Sequence, residues 1–453
     1  MLSPLSRSLA SQLFRMTLPM IVGVLSIMSY QLVDSVFIGR LGVQPLAALG
    51  FTIPVYQLII GIQVGVGIAT TAVISRVLGE GNDARAREIA TLVLALGALT
   101  ILALCLAIWV GQEAMYGLLG AQPELFPVLK AYWLPWLASA WFGAMLYFGY
   151  SLYRSHGQTK RPGAVMVLTS VLNLVLDPLF IFTLDMGIAG AAWATICALG
   201  AGCIIIFRGV IANGWLNIRL SLGDSLANAS QLTRVMLPAT TSQFIPPVAA
   251  MAATALVAGF GENVVAAWGL GSRIELFSIV VVLALTMALP PMVGRLRGQG
   301  EFDKIRLLVN LSMAFVVLWQ LLVALSGVMF SSSISLLMAN DPQVAVILAS
   351  YLNWVPLSFG ALGICMVLVS VANALGKPAR ALLISALRLL GCYLPCLWLG
   401  TELGGEQGLF IGAMVGNFAA GIMSWVLYRG CFEQMQSASR LAVANAGRCS
   451  ESA

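Results

Sequence analysis

Charge is what this sequence has least of. Only 9% of its 453 residues are Asp, Glu, Lys or Arg, against about 25% in a soluble globular protein, so a chain this long cannot cover a water-facing surface. Histidine is almost missing. The single His156 sits in a polar loop beside Lys160 and Arg161, which leaves a His-based catalytic or metal centre without ligands. The eight cysteines form no CxxC pair, and Cys392 and Cys396, one helical turn apart in an apolar segment, read as packing. A phosphate cradle is also missing, because Gly376-Lys377 lacks the upstream glycine and the following Ser or Thr. Without an ATP site, any work must draw on an ion gradient, or the process is passive.

What is present is apolar length. Hydrophobic residues make up 60% of the chain, and most stretches between charged clusters run to about 20 to 25 residues, enough to cross the hydrocarbon core as a helix. The pattern predicts an all-α polytopic membrane protein with twelve spans, at 16–38, 47–75, 88–111, 125–153, 163–183, 188–211, 233–258, 264–293, 306–330, 344–375, 379–400 and 408–428. Of the 24 Lys and Arg, all but Arg40, Lys130, Arg273 and Arg388 fall in the N-terminal segment, the even-numbered loops or the tail, Arg219 among them. The odd-numbered loops carry Glu113, Glu124, Asp185, Glu262, Asp341, Glu402 and Glu406 instead. By the positive-inside rule both termini are cytoplasmic. The net charge of +6, scattered over short loops, suits anionic lipid headgroups rather than nucleic acid.

The two halves are copies. Leu13-x-Arg15-x-x-Leu18-Pro19 recurs as Leu232-x-Arg234-x-x-Leu237-Pro238, Gly42, Ala47, Ala48 and Gly50 as Gly261, Ala266, Ala267 and Gly269, and Arg76, Gly79 and Gly81 as Arg295, Gly298 and Gly300. All share one offset without a gap. Six spans per copy make the repeat parallel, related by an axis along the membrane normal, with a site expected between the halves. The expected organisation is a cytoplasmic segment 1–15, an N-lobe 16–212, a cytoplasmic linker 213–231, a C-lobe 232–429 and a cytoplasmic tail 430–453. Two six-helix lobes without a nucleotide site form a transporter plan, not an enzyme.

Only three acids lie within spans: Asp34, Asp177 and Glu275. A charge at the bilayer centre costs about 2.5–3.5 kcal/mol, so such residues face a cavity or a partner and mark function. By helical rise, Asp34 lies about 6 Å inward from the outer end of span 1 and Asp177 about 9 Å inward on span 5, with Thr195 and Tyr132 at about 10 Å. Tyr30 and Asp34 share one face of span 1, and Ser170, Asn173 and Asp177 share one face of span 5. The second copy has no counterpart, since Asp34 maps to Ala253 and Asp177 to the region of Tyr393. A packing requirement would recur in both copies; a one-sided polar cluster signals function. Two carboxylates, an amide oxygen and a hydroxyl can hold Na⁺, and two close carboxylates can equally share a proton. Pro178 cannot donate to the Leu174 carbonyl, and Pro19 makes a hinge early in span 1. Glu275 and Arg388, both near mid-depth, read as a structural ion pair on the cleft side rather than a coupling site.

These residues carry a resemblance. Pro19 with Tyr30-x-x-x-Asp34-Ser-Val-Phe-Ile-Gly-Arg-Leu-Gly is similar to the first span of the multidrug and toxic compound extrusion (MATE) family. Asn173-x-x-Leu176-Asp177-Pro178 resembles its fifth-span motif, and the loop of Arg76, Gly79 and Gly81 its loop between spans 2 and 3. The likeness covers essentially the whole chain. It implies a V-shaped cleft between two lobes and antiport of amphipathic organic cations against H⁺ or Na⁺. It also implies an N-lobe cation site at Asp34, Asn173, Asp177 and Thr195, with Tyr30 and Tyr132 as surrounding polar groups and no cofactor beyond the coupling ion. Another branch of the family has an acid early in span 7 where this chain has Pro246, which sets the likeness nearer the DinF-like branch.

The expected partners are small cationic drugs or dyes and membrane lipid, around a monomer in a bacterial inner membrane. A lipid-linked saccharide flippase of related fold would need a cleft rich in Arg and Lys, and only Arg273 and Arg388 are deep. An intramembrane aspartyl protease would carry Gly-x-Gly-Asp, whereas Leu174-Val175-Leu176 precedes Asp177.

Overall fold

A computed structural model describes residues 4–217 and 222–451; Arg219 and parts of the linker and tail segments lie outside the described residues. Among the described residues every regular element is helical. Ten helices are long and apolar enough to cross a membrane. The last of these, Pro378–Gln436, contains the non-helical Gly405 (φ 57°), which divides span 11 from span 12. With the 30-residue helix Phe126–Ser155 as span 4, the spans number twelve. Spans 1 to 3 are Pro4–Arg40, Val43–Gly79 and Asp83–Val110. Spans 5 to 7 are Lys160–Thr183, Gly187–Ala212 and Leu222–Ala258. Span 9 is Phe302–Met329 and span 10 is Pro342–Ala374. Span 7 therefore begins inside the segment expected as linker, and the tail continues as helix to Glu451.

The repeat is written into the backbone. Gly42 and Gly261 hold φ of 118° and 101°, and Gly81 and Gly300 hold 78° and 75°. These left-handed conformations cost other residues a clash with Cβ, so both copies turn on glycine at the same places. Span 8, expected as one helix, is broken at Ile279 into Glu262–Ser278 and Val280–Gly298. Side chains from neighbouring spans meet carbonyls at the break and below it. Gln320 Nε2 of span 9 donates to the Ser278 carbonyl at 3.1 Å. Pro290 has no N–H to offer Thr286, and that carbonyl takes the Ser370 hydroxyl of span 10 at 2.9 Å.

The contacts group the chain into Gln12–Phe244, and Met1–Ser11 with Ile245–Ala453, so that the division runs through span 7. In the first unit, helices approach at glycines. A Cβ on Gly23 would fall 2.6 Å from Met166 Sδ, and one on Gly163 would meet the Pro19 backbone, which brings spans 1 and 5 together at that level. On span 2, Gly61 faces the Phe244 ring and Gly65 faces Thr240 of span 7. Arg85 at the base of span 3 donates to Asn228 Oδ1 (3.0 Å) and Gln231 Oε1 (2.8 Å), holding the start of span 7.

The second unit is centred on Trp268, Tyr351 and Phe410, whose rings meet edge-on or stacked at 5.7–6.4 Å. Its last two spans form a hairpin with a seam of small residues. Gly408, Gly412 and Gly416 recur every fourth residue and lie against the backbone of Cys392, Cys396 and Gly400. With no hydrophobic drive inside lipid, such close backbone approach is what joins membrane helices. Cys392 and Cys396 are thus packing residues, and both are free thiols.

Candidate functional site

Span 5 supplies the centre. Pro162, Met166, Ser170, Asn173 and Asp177 are buried at helical spacing, while Leu168, Val171, Leu174 and Val175 are exposed on the opposite face. The apolar stripe meets lipid and turns the polar stripe inward. Asn173 and Asp177 are 2% and 1% exposed, among the most enclosed polar side chains of the unit. Span 1 works the same way: Leu18, Val22, Leu25, Leu32 and Val36 are exposed, and Tyr30 and Asp34 sit partly buried on the other side.

Directly after Pro178 the helix widens into a π-helical segment, Leu179–Thr183, in which Leu184 N–H reaches back to the Leu179 carbonyl at 2.9 Å. A missing proline N–H lets the ladder slip by a residue. Span 6 is fitted to that segment, because a Cβ on Gly190 would lie 2.7 Å from the Phe180 carbonyl carbon.

The geometry joins most of the residues anticipated from sequence. Asn173 Nδ2 donates to Thr195 Oγ1 at 3.0 Å, and the Thr195 hydroxyl donates to the Ala191 carbonyl at 2.9 Å. This chain fixes the amide so that Asn173 Oδ1 points away from Thr195. Asn173 Oδ1, Asp34 Oδ1 and both carboxylate oxygens of Asp177 are buried and receive no hydrogen bond. Asp34 and Asp177 lie within electrostatic range of each other, and of Tyr30 and Tyr132. Four acceptor oxygens without a donor are not stable together in a low-dielectric interior unless a proton or cation joins them. The set is all hard oxygen, which suits H⁺ or Na⁺ and not a soft metal. Among the described residues no three His, Cys, Asp or Glu come together in a metal-binding group.

Ser170 is buried on the same face, but its hydroxyl donates to its own helix, at the Met166 carbonyl (2.8 Å). Pro19 lies within an unbroken helix, against Gly163. The structure adds Tyr56 and Tyr150, both within electrostatic range of Tyr30, and Gln31 Nε2, 3.4 Å from the Tyr56 hydroxyl. Tyr56 and Tyr150 stand out in sequence only as hydroxyl-bearing rings in apolar spans, a signal too common to pick them out.

The MatE family model matches the chain twice, over residues 19–179 and 238–399, one match for each copy of the repeat. The chain is a MATE family transporter. Members of this family are transporters rather than enzymes, with roles in multidrug efflux. The chain is similar to the Vibrio cholerae MATE transporter VcmN in its bent form, with 52% identity and a TM-score of 0.93 over 95% of this chain and 99% of that one. It is 30% identical to a protein of Shewanella oneidensis named FAD transporter, over 96% of this chain and 97% of that protein. It is 23% identical to the probable multidrug resistance protein YpnP of Bacillus subtilis, over 92% and 94%.

In the C-terminal unit of this MATE chain, the expected Glu275–Arg388 ion pair is not formed. The two are within electrostatic range, with Tyr393 also in range of both, but no ion pair joins them. Glu275 Oε2 instead accepts from the Tyr351 hydroxyl at 3.4 Å. The reason lies in span 11, which is π-helical from Leu387 to Tyr393; a widened turn there resets the direction of Arg388 relative to a regular helix. Arg273, two residues from Glu275, is exposed.

Proposed function

We propose that the protein is a secondary antiporter that exports amphipathic organic cations in exchange for H⁺ or Na⁺, coupled through Asp34, Asn173, Asp177 and Thr195. The observation that carries this is the group of four buried acceptor oxygens with no donor, on spans 1 and 5 of one unit only. Tyr30 and Tyr132 border the group, and Ser170 extends its polar face toward the interior.

Coupling requires that drug and cation prefer different conformations. Cation binding draws Asp34 toward Asp177 and bends span 1, with Pro19 as the hinge and the contacts of Gly23 and Gly163 as the fixed point. The bend closes the N-lobe to drug and expels it; loss of the cation to the cytoplasm resets the site. Inward movement of one charge is assisted by about 2.3 kcal/mol per 100 mV. By the distribution of basic residues both termini are cytoplasmic; the family likeness supports a bacterial inner membrane as the location and a monomer of the DinF-like branch.

A second reading is export of a flavin dinucleotide, favoured by the 30% identity to the Shewanella oneidensis FAD transporter. A pyrophosphate would then need guanidinium groups, and Arg388, with its Nε buried and unpaired, is one such group in the C-terminal unit. Purified protein in vesicles, given a pH gradient and a Na⁺ gradient separately, with a cationic dye and FAD as alternative cargoes, tests both. Dye efflux driven by one gradient supports the antiporter; gradient-driven movement of FAD without dye supports the second reading and defeats the first.

A further inference from the structure

At the basic end of the C-terminal unit, spans 9 and 12 line an open surface pocket of about 270 Å³ that none of the groups above reaches. Arg306 and Asn310 line it from span 9 and Trp425 and Arg429 from span 12, each pair one helical turn apart. Beyond it the two helices are joined by Phe302 against Phe432, with ring centres 6.3 Å apart, and by Gln436 donating to Asp303 at 3.0 Å. The Arg429 guanidinium lies 4.8 Å from the centre of the Trp425 ring. The one acid on the wall, Glu433, stands 3.8 Å from Arg429, too far for a strong charge-assisted hydrogen bond. Two guanidiniums from two helices therefore face one carboxylate, and the cavity is positive.

The volume lies just under the ~300–1,000 Å³ of sites that enclose drug-sized ligands, which suits a headgroup better than a drug. Guanidinium forks match phosphate oxygens bidentately, and basic pockets between membrane helices take anionic heads. Trp425 is the residue type found at headgroup level. One turn away on span 12, the exposed Ile422 and Val426 continue as an apolar surface on which acyl chains can lie. We propose that this cavity binds the phosphate headgroup of an anionic phospholipid, held between Arg306 and Arg429 with Asn310 donating to it, and that the lipid ties span 9 to span 12.

The test is native mass spectrometry of the purified full-length protein titrated with phosphatidylglycerol, cardiolipin or phosphatidylethanolamine. The wild type should retain the two anionic lipids and not the zwitterionic one. Arg306→Gln with Arg429→Gln should lower anionic retention at least fivefold, and the corresponding pair of Lys substitutions should keep most of it. Asn310→Phe, which fills the cavity and leaves both charges, should also lower it. Lipid-free melting temperatures matched to wild type identify the variants that are folded. Equal retention of phosphatidylethanolamine by the wild type, or undiminished phosphatidylglycerol on the folded variants, overturns the proposal. So does displacement of the lipid by inorganic phosphate at equal concentration, which would make the site one for free phosphate.

Discussion

The side-chain amide of Asn173 donates to the hydroxyl of Thr195 at 3.0 Å, and by doing so fixes which way its oxygen faces. Span 6 thereby orients a side-chain amide carried by span 5. Thr195→Val removes the acceptor and frees the amide to rotate, placing N–H groups where an acceptor is needed. A hydrogen bond of this kind is worth about 0.5–1.5 kcal/mol, so the coupling-ion concentration giving half-maximal efflux should rise by about twofold to twelvefold. Thr195→Ser, which keeps the hydroxyl, should restore it.

Gly190 lies against the backbone of Phe180 in the π-helical segment that follows Asp177 and Pro178. A methyl group there has no flexible neighbour to displace, so Gly190→Ala must push span 6 off span 5. Overpacking costs about 1–3 kcal/mol, and the variant should melt lower and lose efflux. Gly200→Ala on the same span, where the added carbon meets nothing within 4 Å, should do neither. Melting temperature and dye efflux measured on the pair check this.

Gln320 is 1% exposed and serves the carbonyl at the break in span 8. Gln320→Leu leaves the Ser278 carbonyl without that donor. An unpaired buried polar group costs about 1–3 kcal/mol, so the variant should melt lower with the coupling-ion dependence unchanged, since Gln320 belongs to the other unit. A changed ion dependence would contradict that separation.

The hairpin of spans 11 and 12 depends on backbone contact at Gly408 and Gly412. Gly412→Leu should separate the two helices and prevent a stable fold, which size-exclusion chromatography in detergent detects as aggregation. Gly404→Ala, near the tip of the hairpin, where an added carbon meets nothing within 4 Å, should elute as wild type.

The polar face of span 5 was legible in sequence because Ser170, Asn173 and Asp177 are spaced for one side of a helix and apolar residues fill the other. The repeat was legible because glycines needed for left-handed turns cannot be replaced without strain, as Gly42 and Gly261 show. The break at Ile279 was hidden: Glu262–Ser278 and Val280–Gly298 are both apolar and helical, and the prolines that mark irregularity, Pro290 and Pro291, lie well beyond it. The Glu275–Arg388 pair failed for a related reason, since depth along ideal helices ignores the π-helical turns of span 11 that reset Arg388. The Ser170 hydroxyl donates to its own helix, a local bond that spacing does not reveal. Tyr56 joined the site through tertiary packing alone.

The central claim is that Asp34 and Asp177 hold the coupling cation. Reconstituted Asp34→Asn and Asp177→Asn proteins, folded by the criterion of an unchanged elution profile, should bind dye yet show no efflux under whichever gradient, pH or Na⁺, drives the wild type. Efflux by Asp34→Asn at the wild-type rate under that gradient would contradict the account.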